Sequence, residues 1–96
     1  MPSFRVIVSV GRLRPGVAAP SVEPAASEAA AGLTVVEATG VDAVAGEARL
    51  TVRFLAEGIE EALRIAEHTV GAVQQRAEVG RWQLTERVGG RWFRRA

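Results

Sequence analysis

The only histidine, His68, is the first side chain to consider for acid–base chemistry, because imidazole titrates near neutral pH. It falls on the polar flank of a strongly periodic segment, where the sequence places no serine or carboxylate to orient it. Asp42 is the only aspartate, and the adjacent Glu60 and Glu61 belong to the same polar flank. The absence of cysteine excludes thiol nucleophiles, disulfides and zinc–thiolate sites. We therefore expect a protein that acts without catalysis, metal or cofactor.

A candidate anion site follows the first apolar stretch, in "GRLRPGV" at residues 11–17. Arg12, Arg14 and Gly16 combine positive charge with free backbone N–H groups ahead of a predicted helix, whose dipole favours anions. The segment resembles the phosphate loop of acylphosphatases in part, although the chain lacks any asparagine and so lacks that motif's downstream residue. The alternative is a solvated turn, since Pro15 and Gly16 suit the middle of a type II turn.

The third candidate is "RWQLTERVGGRWFRRA" at residues 81–96, which combines two tryptophans with a cluster of arginines. Such an arm could grip nucleic acid, but Gly89–Gly90 between two β-prone segments predicts a tight hairpin. The expected cross-strand pairs are Val88 with Arg91, Arg87 with Trp92 and Glu86 with Phe93. The residues expected on the core side are Trp82, Leu84, Val88 and Phe93. Trp92 then falls on the other side, where it can make a cation–π contact.

Composition indicates one globular domain over residues 1–96, with 48% apolar residues. The net charge of +1 conceals a pattern: residues 1–14 and the last ten are basic, and residues 15–48 carry only acids. The N-terminal apolar stretch is too short for a membrane span and lacks signal-peptide features, so we expect a cytoplasmic protein. Abundant alanine, valine and arginine with no lysine or asparagine is typical of GC-rich codon usage and predicts a bacterial source.

Periodicity predicts the elements that must position these candidates. Strands are expected over residues 3–13, 33–41, 48–56 and 82–88, helices over 21–32 and 58–77, and a loop over 42–47. Ser21 is the expected cap of the first helix, whose buried face would be Val22, Ala25, Ala26 and Ala29. The apolar stripe of the second helix is Ile59, Leu63, Ala66, Val70 and Val73. The residues expected in a single core are Val6, Val8, Val52, Phe54, Leu63, Val70, Trp82 and Leu84.

This order of elements resembles the ferredoxin-like α/β plait, a repeated split βαβ unit. The resemblance implies an α+β fold, with a four-stranded antiparallel sheet, two helices on one face and a short extra C-terminal strand. Right-handed crossovers would place the first and third strands in the centre and the second and fourth at the edges. The second strand is acidic and the fourth basic, so we expect opposite charges at the two edges. The plait hosts many activities, so the fold alone assigns none.

The sheet face without helices is the expected interface, because arginine and tryptophan are enriched where proteins associate. The candidate interface residues are Arg5, Ile7, Arg49, Arg53, Leu55, Arg87 and Trp92, and Val36 is expected on the same face. We therefore predict an interaction or regulatory module that forms a homodimer through its sheet. Another protein is a further candidate partner.

Two alternatives remain open. The first is a plait that binds a small ligand or an anion, including a cofactor-independent enzyme that resembles the antibiotic-biosynthesis monooxygenases. An enclosed pocket reached by Arg12 or Arg14 would indicate it. The second is a nucleic-acid binder, which salt-dependent binding would indicate. It is disfavoured because neither predicted central strand offers an outward aromatic residue.

Overall fold

The computed structural model of the protein describes all residues from 1 to 96. The elements are β1 (Ser3–Leu13), a 3-10 turn (Ala19–Ser21), α1 (Val22–Ala31), β2 (Val36–Val44), β3 (Glu47–Leu55), α2 (Ile59–Gln74), β4 (Ala77–Val88) and β5 (Arg91–Arg94). The strands form one antiparallel sheet in the order β2-β3-β1-β4-β5. The predicted α+β class is confirmed. The fourth strand is not an edge, because β5 pairs along it. Neither helix has the length and apolar character needed to cross a membrane.

The core occupies one side of the sheet. Alternate residues of the strands are fully or almost fully buried there: Phe4, Val6, Val8, Leu50, Val52, Phe54 and Leu84. They share one cluster with residues from both helices, including Ala26, Ala30, Ala62, Ala66 and Val73. Both helices therefore cover this inner face. Small residues on both helices allow close packing on the sheet. Because both helices lie on this side, the other face has no covering element.

We call that other side the outer face. Strand alternation assigns to it Ser3, Arg5, Ile7 and Ser9 of β1, Arg49, Thr51, Arg53 and Leu55 of β3, Gln83, Thr85 and Arg87 of β4, and Trp92 and Arg94 of β5. Side-chain contacts across the strands support this assignment, because Arg5 reaches both Thr85 and Trp92. Every candidate interface residue predicted from the sequence, apart from Val36, lies on this face.

Val36 and its strand differ from the prediction. Val36 packs against the core, because the β2–β3 register slips between Val36 and Ala38 and turns Glu37 to the outer face. Residues 42–44, expected in a loop, continue β2. The turn is then only two residues long, Ala45 and Gly46.

The buried faces of α1 and α2 also differ from the predicted ones. In α1 the buried residues are Val22, Ala26 and Ala30, and Ser21 directs its hydroxyl to the Ala18 carbonyl (2.7 Å) rather than to the helix. In α2 the expected stripe is rotated: Ile59 is 42% exposed and Leu63 is half-buried. The residues buried instead, besides Ala66, Val70 and Val73, are Ala62, Ile65 and Thr69.

The buried face of α2 includes a polar residue, Thr69, which a search for apolar residues alone does not find. Its hydroxyl donates to the Ile65 carbonyl at 2.8 Å, so a polar side chain is buried without an unpaired group. The helix ends at Gln74, and Ala77, expected inside it, is the buried first residue of β4.

The C-terminal hairpin has the predicted register, with Arg87 opposite Trp92 and Glu86 opposite Phe93. Its inner side is less covered than predicted: Val88 is 49% and Phe93 42% exposed, and neither belongs to the core cluster. Trp82 is half-buried against the core.

Ala45 gives a testable expectation, because its φ of 52° lies in the left-handed region that disfavours side chains. Gly46 shares this conformation (φ 80°), as tight hairpin turns require. We expect Ala45→Gly to raise the free energy of unfolding by roughly 0.5–1 kcal/mol, measured by urea denaturation. Ala43→Gly, in the neighbouring extended strand, should lower it by about the same amount. Equal destabilisation by both changes would contradict the strain at Ala45.

Candidate interaction surface

Trp92 forms the centre of the outer face. The Gly89–Gly90 turn, with φ values of 58° and 85°, brings the chain back so that Trp92 lies over the sheet. Its ring centroid lies 4.2 Å from the guanidinium carbon of Arg5 and 5.4 Å from that of Arg53. Two cations from the central strands thus contact one aromatic ring, which is a favourable cation–π geometry.

Hydrogen bonds fix these arginines in place. Arg5 Nε donates to Thr85 Oγ1 at 3.1 Å, and Arg53 Nε donates to Glu37 Oε1 at 3.2 Å. Glu37 also accepts a hydrogen bond from Ser3 Oγ at 2.6 Å. The surface is therefore preorganised, since its long side chains are already held in one conformation.

The electrostatics of this cluster follow from its geometry. Burial, followed by the charge of Arg53, lowers the pKa of Arg5 from its ordinary value. Arginine titrates so far above neutrality that Arg5 stays charged. The pKa of Glu37 is also lowered: the hydrogen bond from Ser3 is the largest cause, burial opposes it, and the hydrogen bond and charge of Arg53 lower the pKa further. Glu37 therefore remains an anion at neutral pH.

A shallow groove of about 700 Å³ lies further along the outer face, at the level of Ser9. Its floor includes Ile7 and two glycines, and Arg49, Arg81 and Arg94 line it. The β1–β4 register slips between Val8 and Val10, so an extra residue is accommodated in β4 near Arg81.

The groove arginines lack acidic partners. The chain contains two ion pairs, Arg53 with Glu37 and Arg95 with Glu86, and neither involves Arg49, Arg81 or Arg94. Glu47 also lines the groove, but it accepts a hydrogen bond from Ser9 Oγ at 3.1 Å. Three arginines against one carboxylate give the groove a net positive charge.

Charge is distributed unevenly across the outer face. The β2 side carries Glu37 and Asp42, with Asp42 opposite Arg49 in the register. From Arg81 onward, the β4–β5 side carries arginines on this face, and strand alternation places Glu86 on the inner side. The oppositely charged edges expected from the sequence are thus present on this face, with β5 added to the basic edge.

In the structure the segment predicted as an anion site forms a turn over residues 14–17. Gly16 has a φ of 79°, and Val17 N donates to the Arg14 carbonyl at 3.1 Å, as the type II interpretation requires. Arg14 Nε donates to the Gln74 carbonyl at the end of α2 (3.1 Å), and Arg12 is exposed. The arginine that bonds Ser21, at the start of α1, is Arg76 (Nη1 to Oγ, 3.2 Å).

A second pocket, of about 430 Å³, lies between the inner face and the start of α1. Its lining is mainly apolar and includes Leu13, Pro20, Val22, Val41 and Leu50, with Glu23 as the single charged residue. Neither Arg12 nor Arg14 lines it. The side chain of His68 lies elsewhere, in a surface groove between the two helices.

No known protein family, curated protein or solved structure matches the chain. The outer face and the two pockets are therefore the features that bear on function. The sequence identified most of the outer face but missed Arg81 and Arg94. Alternation from Trp92 within β5 was a signal for Arg94, whereas the position of Arg81 depends on the irregular pairing of β4.

Proposed function

We propose that this chain is a ferredoxin-like plait, extended by β5, that acts in the cytoplasm as a non-catalytic interaction or regulatory module. In this proposal it forms a homodimer through the outer face. The strand order β2-β3-β1-β4 is the order that the plait requires, and β5 is added beyond β4. The observation that carries the dimer is an uncovered sheet face with a preorganised centre, Trp92 over Arg5 and Arg53.

The size and chemistry of the face support this proposal. Neighbouring strands lie about 4.8 Å apart and rise about 3.3 Å per residue. The five strands therefore give the face a flat area on the order of 600 Å², and projecting side chains add to it. A standard interface buries about 800 Å² per partner. Ile7 and Leu55 are half-buried on this face. With Trp92 they supply the apolar adhesion, because exposed ion pairs contribute only about 0–1 kcal/mol each.

Sedimentation of the wild-type protein and of Ile7→Glu tests the dimer. We expect the wild type to sediment as a dimer at low salt and at about 0.5 M salt, since screening weakens charge steering more than apolar adhesion. The Ile7→Glu variant should be a monomer, because association would bury its new carboxylate in the apolar part of the interface. The matched control is Ile59→Glu on exposed α2 surface, which should remain a dimer. A wild-type monomer in both buffers would refute the proposal.

The pocket beside α1 favours a second candidate, a plait that binds a small apolar ligand or acts as a cofactor-independent enzyme. Its volume and apolar lining suit a small molecule. The apolar dye anilinonaphthalene sulfonate is a suitable probe. Native-state binding that is lost in Val41→Asp and kept in Ile59→Asp would support this candidate, and no binding to the native protein would exclude it for ligands of this kind.

A further inference from the structure

We infer that the two-fold axis of the homodimer runs parallel to the strands, so that β2 of each copy lies over the β4–β5 edge of the other. This inference rests on the proposed function. Two-fold dimers bury the same surface on both copies, and stacked sheets keep their strands roughly aligned. Two such arrangements are available. An axis parallel to the strands reverses the strand order between the facing sheets, and an axis perpendicular to them places β2 over β2.

Charge distinguishes the two arrangements. The β2 side of the outer face carries Glu37 and Asp42, and the β4–β5 side carries Arg81, Arg87 and Arg94. The parallel axis brings these opposite edges together at both ends of the interface. With the perpendicular axis, the acids of one copy lie opposite the acids of the other, and arginines lie opposite arginines. Such like-charge contacts are costly at an interface.

The groove arginines also favour the parallel axis. Asp42 is exposed, and neither ion pair of the chain involves its carboxylate. In the sheet register Asp42 pairs with Arg49, and Arg49 pairs with Ser9, which lies in the groove beside Arg81. A rotation about an axis parallel to the strands preserves position along them. The second copy's Asp42 therefore arrives at the level of the groove, where three arginines share one carboxylate, Glu47.

The centre of the face is compatible with this axis. β1 is the middle strand, so the two copies of Arg5 would approach each other near the axis. Trp92 covers that guanidinium at 4.2 Å, and Thr85 accepts its Nε–H. The surfaces that meet near the axis are thus aromatic as well as cationic, which reduces the repulsion between the two arginines.

The acids on the same face favour a second copy over nucleic acid as the occupant. Glu37, Asp42 and Glu47 would repel phosphates laid across the sheet. In a second copy the same carboxylates meet the arginine side. An oligonucleotide therefore serves as a competitor in the experiment.

Cross-linking tests the axis, because the chain has no cysteine and single cysteines can be introduced cleanly. Thr51 and Gln83 both pair with Ile7 from opposite sides, so they lie at one level on β3 and β4. The parallel axis places Thr51 over the second copy's Gln83. The perpendicular axis, taken near this level, places each residue over its own copy. Facing sheets are about 10 Å apart, so a short bismaleimide is used rather than a disulfide.

We expect a covalent dimer when Thr51→Cys and Gln83→Cys proteins are mixed, each with a tag of different mass, and little product from either protein alone. Product from each protein alone, with no mixed species, would overturn the axis and leave the homodimer standing. A dimer by sedimentation with no cross-link in any sample would also overturn it. A monomer by sedimentation would refute the proposed function itself. Loss of the mixed product when a single-stranded oligonucleotide is added at about 0.15 M salt would instead assign the face to nucleic acid.

Discussion

Replacing Phe54 with alanine is expected to lower the free energy of unfolding by about 3–5 kcal/mol. Phe54 is fully buried on β3, directly opposite Phe4 on β1, and the two rings stack with centroids 6.2 Å apart. Truncation removes the transfer free energy of a buried ring, leaves a cavity and breaks the aromatic pair. A domain of this size is typically stable by only about 5–15 kcal/mol, so the loss should be a large fraction of the total.

Chemical denaturation followed by tryptophan fluorescence measures this loss. The matched control is Phe93→Ala, since Phe93 is 42% exposed at the end of the hairpin and should cost less than about 1 kcal/mol. Both proteins are compared at one concentration, because dimer formation adds to apparent stability. If Phe54→Ala were as mild as Phe93→Ala, the inner face of β3 would have been assigned wrongly. Leu63→Ala should lie between them, because Leu63 is only half-buried.

Sequence reasoning succeeded where one local rule determined the structure. Strict alternation in β1 assigned Val6 and Val8 to the core and Arg5 to the outer face. The Gly89–Gly90 turn fixed the hairpin register, because a two-residue loop leaves a single pairing of its flanking strands. Where side-chain period and turn length agree, the sequence is sufficient.

It failed where several weak signals compete. In α2 the apolar residues Ile59 and Leu63 suggested the buried stripe, but the helix is rotated and buries Ala62, Ile65 and Thr69 instead. In β2 the residues 42–44 resemble a loop, yet pairing with β3 holds them extended. Such choices are made by tertiary packing, which outweighs local preference.

The same distinction applies to the candidate site. Arg5, Arg53 and Trp92 were placed on one face by alternation alone, and the structure brings them into contact. The groove was not predictable, because its arginines converge from three strands and the β1–β4 register slips beside Arg81. Irregular pairing has no clear sequence signature here. The positive charge of the groove is therefore a property of the fold rather than of any one segment.

Replacing both Gly89 and Gly90 with valine is expected to detach β5 while the rest of the sheet stays folded. Both glycines have positive φ angles, which a β-branched residue adopts only with strain of about 1–2 kcal/mol each or more. β5 is four residues long and contains no fully buried side chain, so its pairing cannot offset that cost. The core cluster includes no β5 residue and should survive.

Release of Trp92 is the readout, measured by acrylamide quenching in a Trp82→Phe background where Trp92 is the single tryptophan. In the parent protein the ring is half-buried against Arg5 and Arg53, so quenching should be restrained, and the valine pair should raise it close to the value of a free tryptophan. Gly89→Asn is the control, since Asn-Gly is favoured in this turn and should keep Trp92 protected. The loss of β5 also removes Arg94 and the aromatic cover of Arg5, so the same variant should fail to form the sheet-to-sheet dimer. Continued protection of Trp92 in the valine variant would show that the ring is held by its arginines and that the turn is dispensable.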